Sequence, residues 1–192
     1  IIDHSNPKTI YVAAIGSPWG EHSERGVYKT TNGGKSWKKI LFVNNKTGAA
    51  DMVVDPINPN KIIVAMWQHK RDPWFFKSGG KGSGLYITYD GGENWTKKTD
   101  KDGLPKGELG RIGLAISKSK NNIIYALVES KKNALYKSVD GGENWNAVNG
   151  NNIPDPLDGE YGYVRQIEVY NDNIWYTTNR GRIYHSTDKG FN

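Results

Sequence analysis

Short apolar runs separated by polar turns recur along the chain. Ile10–Ala13, Ile62–Trp67, Ile123–Val128 and Ile174–Thr177 are rich in β-branched and aromatic residues, and each follows an Asn-containing turn that a shorter apolar stretch precedes. Runs of this length bounded by turn residues predict strands. Each unit continues through a loop into a paired element such as Gly26–Thr30 and Trp37–Leu41, which flank an Asn-Gly-Gly sequence. Asn, Asp and Gly tolerate positive φ, so that spacing predicts a tight hairpin. No stretch sustains a helical period, and the pattern predicts an all-β protein.

One phrase repeats. Thr30-Thr31-Asn32-Gly33-Gly34-Lys35-Ser36-Trp37 recurs as Thr88–Trp95 and Ser138–Trp145, and Ser186-Thr187-Asp188-Lys189-Gly190 begins a fourth copy. The acid or amide position falls at 32, 90, 140 and 188, giving spacings of 58, 50 and 48 residues. Residues 53–65 also match residues 1–13 without a gap. A period of about 50 residues holding four strands suits one propeller blade. The fold class expected is therefore an incomplete β-propeller segment of about four four-stranded blades, at 1–48, 49–109, 110–162 and 163–192. Ile1 aligns inside a first strand and Asn192 stops one residue short of the aromatic that closes a box. The remaining blades of a longer parent chain are thus expected partners, and Ile1 is not expected to be the biological N-terminus.

Composition narrows the chemistry. The chain has no cysteine, which removes disulfides, thiolate nucleophiles and thiolate metal sites. Lys+Arg 26 against Asp+Glu 20 gives a net charge of +6. The charges are scattered, and lysines such as Lys29, Lys38, Lys97 and Lys137 fall at outward positions, so no nucleic-acid partner is expected. No apolar run is long enough for a membrane helix. The four histidines lack ligand spacing, so no metal and no cofactor are expected. Ser78–Gly84 is glycine-rich but precedes no helix that could present an N-terminus to phosphate.

The pattern Ser/Thr-x-Asp-x-Gly-x-x-Trp resembles the Asp-box (BNR) repeat of sialidases, xyloglucan-active propeller glycosidases, photosystem II assembly propellers and sortilin-type receptors. Asn32 departs from it. Gly48-Ala49-Ala50-Asp51 and Leu109–Leu114 resemble large secreted bacterial proteins described as sortilin-like or as glycosyl-hydrolase repeat proteins. The resemblance implies an extracytoplasmic location and either of two functions. One is a module that binds a protein, peptide or glycan; the other is a secreted glycoside hydrolase with catalytic carboxylates partly outside this segment. The box residues Asn32, Trp37, Asp90, Trp95, Asp140, Trp145 and Asp188 are expected to be structural, the acid accepting backbone hydrogen bonds and the Trp packing across the hairpin.

In an up-and-down blade the boxes share one rim with the Asn-rich turns, and the long loops share the other, where function usually resides. Trp19, Arg25, Trp67, Arg71, Trp74, Phe75, Arg111 and Tyr161 fall on that loop rim and are the expected ligand contacts. Glu108, Asp158 and Glu160 are the catalytic candidates, because glycoside hydrolysis needs two carboxylates about 5–10 Å apart. The arginine-containing start motif of true sialidases is not in the sequence.

Overall fold

In the computed structural model the described residues are 1–131, 133–148, 167–170, 173–177 and 183–187. They form antiparallel sheets in chain order. The first holds β1 (Ile10–Ala14), β2 (Gly26–Thr30) and β3 (Lys38–Leu41), with residues 1–3 lying beside β1 through the Ile2↔Ile10 bridge. The second holds β4 (Thr47–Val54), β5 (Ile62–Arg71), β6 (Phe76–Ser78), β7 (Gly84–Thr88) and β8 (Thr96–Lys97). Its order is β4-β5-β7-β8, and β6 pairs only with the far end of β5. The third is β9 (Ile112–Ile116), β10 (Ile124–Val128), β11 (Ala134–Ser138) and β12 (Asn146–Ala147) in sequential order. The fourth contains β13 (Ile167–Tyr170), β14 (Asn173–Thr177) and β15 (Ile183–Ser186). A single 3-10 turn at Asp100–Asp102, capped by Thr99, interrupts the all-β pattern among the described residues.

The continuous apolar runs have a simple cause. A strand covered on both faces must be apolar at every position, because successive side chains point to opposite sides. Along β5, Ile63 and Ala65 join one core with Leu85, Ile87 and Ile112, while Ile62, Val64 and Met66 join another with Tyr11, Val27 and Met52. Along β10, Ile124, Ala126 and Val128 face the second sheet, whereas Tyr125 and Leu127 pack with Ile167 and Ile174 of the fourth. The cores lie between sheets.

The repeated phrase is one hydrogen-bonded unit in all three described copies. The Thr30, Thr88 or Ser138 hydroxyl donates to Oδ1 of residue 32, 90 or 140 at 2.7–2.8 Å and accepts from the N–H of Gly34, Gly92 or Gly142. The same Oδ1 accepts the N–H of Ser36, Asn94 or Asn144 at 2.9–3.0 Å. Asn32 is tolerated because its neighbour changes with it. Asn94 donates through Nδ2 to Asp90 Oδ2 at 2.8 Å, whereas Asn32 itself donates through Nδ2 to the Ser36 hydroxyl at 2.7 Å.

Asp140 shows the electrostatic result. Burial pushes its carboxyl up, but hydrogen bonds from the Asn144 backbone and side chain, Ser138 and Glu143 outweigh it and bring the pKa to about 2. The contribution of this depressed carboxyl to stability is present above its ordinary value of 3.8 and is lost as pH falls through about 2. A carbon-13 titration of the Asp140 carboxyl is expected to give a midpoint near that lower value. A midpoint at the ordinary value would show that the turn bonds do not hold the charge.

The boxes also join sheets, which the hairpin reading did not anticipate. Trp95 Nε1 donates to Ile40 O of the first sheet at 2.8 Å, and the Trp145 N–H donates to Asp102 O at 2.8 Å. Gly92 and Gly142 lie so close to Ile40 and Ile87 that a Cβ would sit 2.6 and 2.8 Å from their terminal methyls. Glu93 pairs with Lys38 at 3.1 Å and Glu143 with Lys98 at 2.5 Å, and Glu143 also accepts from the Tyr89 hydroxyl. Trp145 is 2% exposed, while Trp37 of the first box is 43% exposed.

Candidate functional site on the loop rim

The long loop that carries Arg71, Trp74 and Phe75 on this rim is a second hairpin. β5 runs on past its sheet, and β6 pairs with it through His69↔Ser78, Lys70↔Lys77 and Arg71↔Phe76. The turn is closed by the Asp72 N–H donating to Phe75 O at 2.9 Å. The sequence conceals this extension because its outward positions are polar, although Trp67, His69 and Arg71 keep the period of two and mark one face. That face is covered at Trp67 and His69 and exposed at Arg71. Trp67 stacks on His69 with ring centroids 4.2 Å apart, Phe76 meets Trp67 edge-on at 5.6 Å, and Arg71 lies over Phe76 at 4.8 Å.

A cavity of about 250 Å³ opens at the foot of the hairpin, lined by Glu21, Lys46, Gln68, His69, Lys70 and Lys77. The loop carrying Trp19 forms its other wall. The Arg71 N–H donates to Pro18 O at 2.7 Å, so hairpin and loop are joined through their backbones. This brings Trp19, Trp74 and Phe75 onto one stretch of rim, 62%, 93% and 61% exposed.

Arg25 lies behind the cavity lining and ties Gly20, Lys46 and His69 together. It is fully buried, donating from Nη2 to Ser17 O and Gly20 O and from Nη1 to Lys46 O at 2.9 Å. Nη1 also lies 3.3 Å from His69 Nδ1, and since guanidinium only donates, Nδ1 is the acceptor. Burial depresses the His69 pKa, with the Arg25 and Arg111 charges acting in the same direction, so the imidazole is neutral. Burial likewise lowers Arg25. Gly16 is required beneath it, because a Cβ there would lie 2.5 Å from Arg25 Cγ.

Two residues that sequence reasoning left without a role secure the site to the third sheet. Glu129 Oε2 accepts from the Ser78 hydroxyl at 2.7 Å and from the Arg111 N–H at 2.8 Å, and Ser78 in turn accepts from Trp67 Nε1 at 2.9 Å. Asp51 Oδ2 accepts the Leu114 N–H at 2.8 Å, linking β4 to β9. Burial pushes the Asp51 carboxyl up, against these hydrogen bonds and Arg111. The only sequence signal for either was a lone carboxylate beside an apolar strand.

The expected contact residues thus divide by depth. Trp19, Arg71, Trp74 and Phe75 are exposed; Arg25 and Trp67 are buried beneath them, and Arg111 lies over the Trp67 ring at 5.6 Å. Glu108 is elsewhere, lining a cavity of about 390 Å³ with Asp100, Lys81, Lys97 and Lys98 beside outer strand β8. Asp158, Glu160, Tyr161 and Asp188 lie outside the described residues. Among the described residues no cluster of three potential metal ligands occurs, and no helix is long and apolar enough to cross a membrane.

Residues 86–97, which span the second box, match the BNR/Asp-box repeat family. A GH74 enzyme from Niastella koreensis shares the fold over 98% of this chain and 29% of its own, with TM-score 0.66 and 18% identity. The fold is that of an Asp-box β-propeller. A GH74 xyloglucanase from Xanthomonas campestris is similar over 98% of this chain and 28% of its own, with TM-score 0.64 and 18% identity. YCF48 from Cyanidioschyzon merolae is similar over 82% of this chain and 42% of its own, with TM-score 0.55 and 17% identity. The chain therefore spans less than a third of the length of the GH74 propeller enzymes it resembles. No curated protein matches the sequence.

Proposed function

We propose that this propeller segment is a glycan-binding module of an extracytoplasmic protein, acting through the loop rim at Trp19, Trp74 and Phe75. One observation carries the reading: three large aromatic side chains stand in solvent on two loops tied together by the Arg71 to Pro18 hydrogen bond. Exposed clustered aromatics mark interaction sites. Flat rings suit the C–H faces of pyranose sugars, and the cavity beside them offers amide, carboxylate and ammonium groups for hydroxyls. Arg25 and Trp67 support these contacts from beneath, and the similarity to GH74 propellers is consistent with a sugar ligand.

Affinity electrophoresis against soluble polysaccharides tests the reading. Trp74→Ala is expected to weaken retention at least about tenfold, the size of a lost aromatic anchor, and to leave the thermal midpoint unchanged because Trp74 is 93% exposed. Retention unchanged by both Trp74→Ala and Trp19→Ala would end the proposal.

A second reading, glycoside hydrolysis, is favoured by the GH74 similarity. Glu108 is the described candidate, and its pairing carboxylate would come from Asp158, Glu160 or a part of the propeller outside this segment.

A further inference from the structure

We infer that the glycan taken by this rim is anionic, bearing uronate or sulfate groups that enter the cavity beside the aromatic platform; this rests on the glycan-binding reading. The cavity wall carries Lys46, Lys70 and Lys77, and the buried Arg25 guanidinium lies behind it, bonded to Lys46 O and beside the His69 ring. Two carboxylates face them. Glu21 pairs with Lys46 at 3.3 Å and Asp72 with Lys70 at 2.6 Å. Lys77 has no ion-pair partner among the described residues, although the Lys70↔Lys77 register sets it beside a second ammonium group on the same hairpin face. Like charges directly across strands repel and are ordinarily avoided.

The buried groups reinforce the field. Arg25 spends its guanidinium on three backbone carbonyls and the His69 ring, none of which carries a negative charge, so its charge is left without a buried counterion. A neutral ligand would leave the Lys77 ammonium unanswered. A carboxylate or sulfate beside Lys77 and Lys70 would gain charge-assisted hydrogen bonds while its sugar ring lies on Trp19 or Trp74. Rings supply the affinity common to all sugars, and the ammonium groups supply the discrimination.

Matched polymers test the inference. Polygalacturonate is compared with its fully methyl-esterified form, and dextran sulfate with dextran, at low and high salt. Tighter binding of one or both acidic members than of their neutral partners, by at least tenfold and weakening with salt, is the expected result. Which acidic polymer wins distinguishes carboxylate from sulfate. The Lys70→Ala/Lys77→Ala double variant, both sites being exposed, is expected to abolish that difference. Lys118→Ala/Lys120→Ala removes equal charge from the β9–β10 turn on the opposite rim and is expected to preserve it. Equal binding of acidic and neutral polymers overturns the charge inference and leaves the glycan reading intact. Loss of selectivity in the Lys118/Lys120 variant as well would reduce the effect to net charge and also overturn it. Binding of none of the four polymers overturns both.

Discussion

Arg25→Ala is expected to destabilise the chain by about 3 kcal/mol or more, since each buried acceptor left without its donor costs about 1–3 kcal/mol, and to abolish ligand binding with it. The guanidinium is fully buried and is the shared donor for Ser17 O, Gly20 O and Lys46 O. Truncation leaves those carbonyls and His69 Nδ1 without their donor and opens a void under the loop that carries Trp19. Arg25→Lys is expected to restore little, since one ammonium on a flexible stem cannot reach carbonyls that diverge across a planar fork. Urea unfolding followed by tryptophan fluorescence measures the loss. A change under about 1 kcal/mol would mean that water replaces the guanidinium, as it does for ordinary surface pairs.

The three box tryptophans give the second large expectation because they hold the same sequence position in different surroundings. Trp145→Ala should cost about 3–5 kcal/mol, the usual penalty for emptying a buried aromatic site. Its ring lies in the core with Leu104, Leu109 and Tyr136, and its Nε1 donates to Gly142 O at 3.1 Å. Trp37→Ala should cost less than about 1 kcal/mol, as for other exposed substitutions, with Trp95→Ala between the two. Equal losses at all three positions would return the Trp to a role within its own hairpin, and the gradient would assign it to the contact between sheets. Chemical denaturation of the three variants decides.

Much of this architecture was legible because it repeats. The hairpin expected at Gly26–Thr30 and Trp37–Leu41 appears as β2 and β3, and the run at Ile62–Trp67 as the first part of β5. Glycine pairs with positive φ at 33–34, 91–92 and 141–142 adopt the backbone their spacing demanded. The site was less legible for two physical reasons. Residues 68–78 form a hairpin with one face turned to solvent, so its polar positions read as loop. Depth cannot be read from residue type either: Arg25 and Arg71 look alike in sequence, yet one is fully buried and the other is exposed. Long-range partners such as Glu129 for Ser78, 51 positions apart, leave no local pattern at all.

The division of β5 between two cores carries one further consequence. Ile63 and Val64 are covalent neighbours, yet Ile63 packs with Ile87 and Ile112 while Val64 packs with Tyr11 and Met52. The packing partners of a residue in this chain therefore follow which side of the sheet it occupies and not its distance along the backbone. Residues a whole repeat apart that share a core are expected to couple, whereas Ile63 and Val64 share backbone but no side-chain partners. The repeat that makes the sequence look modular is thus held in units that straddle its own boundaries.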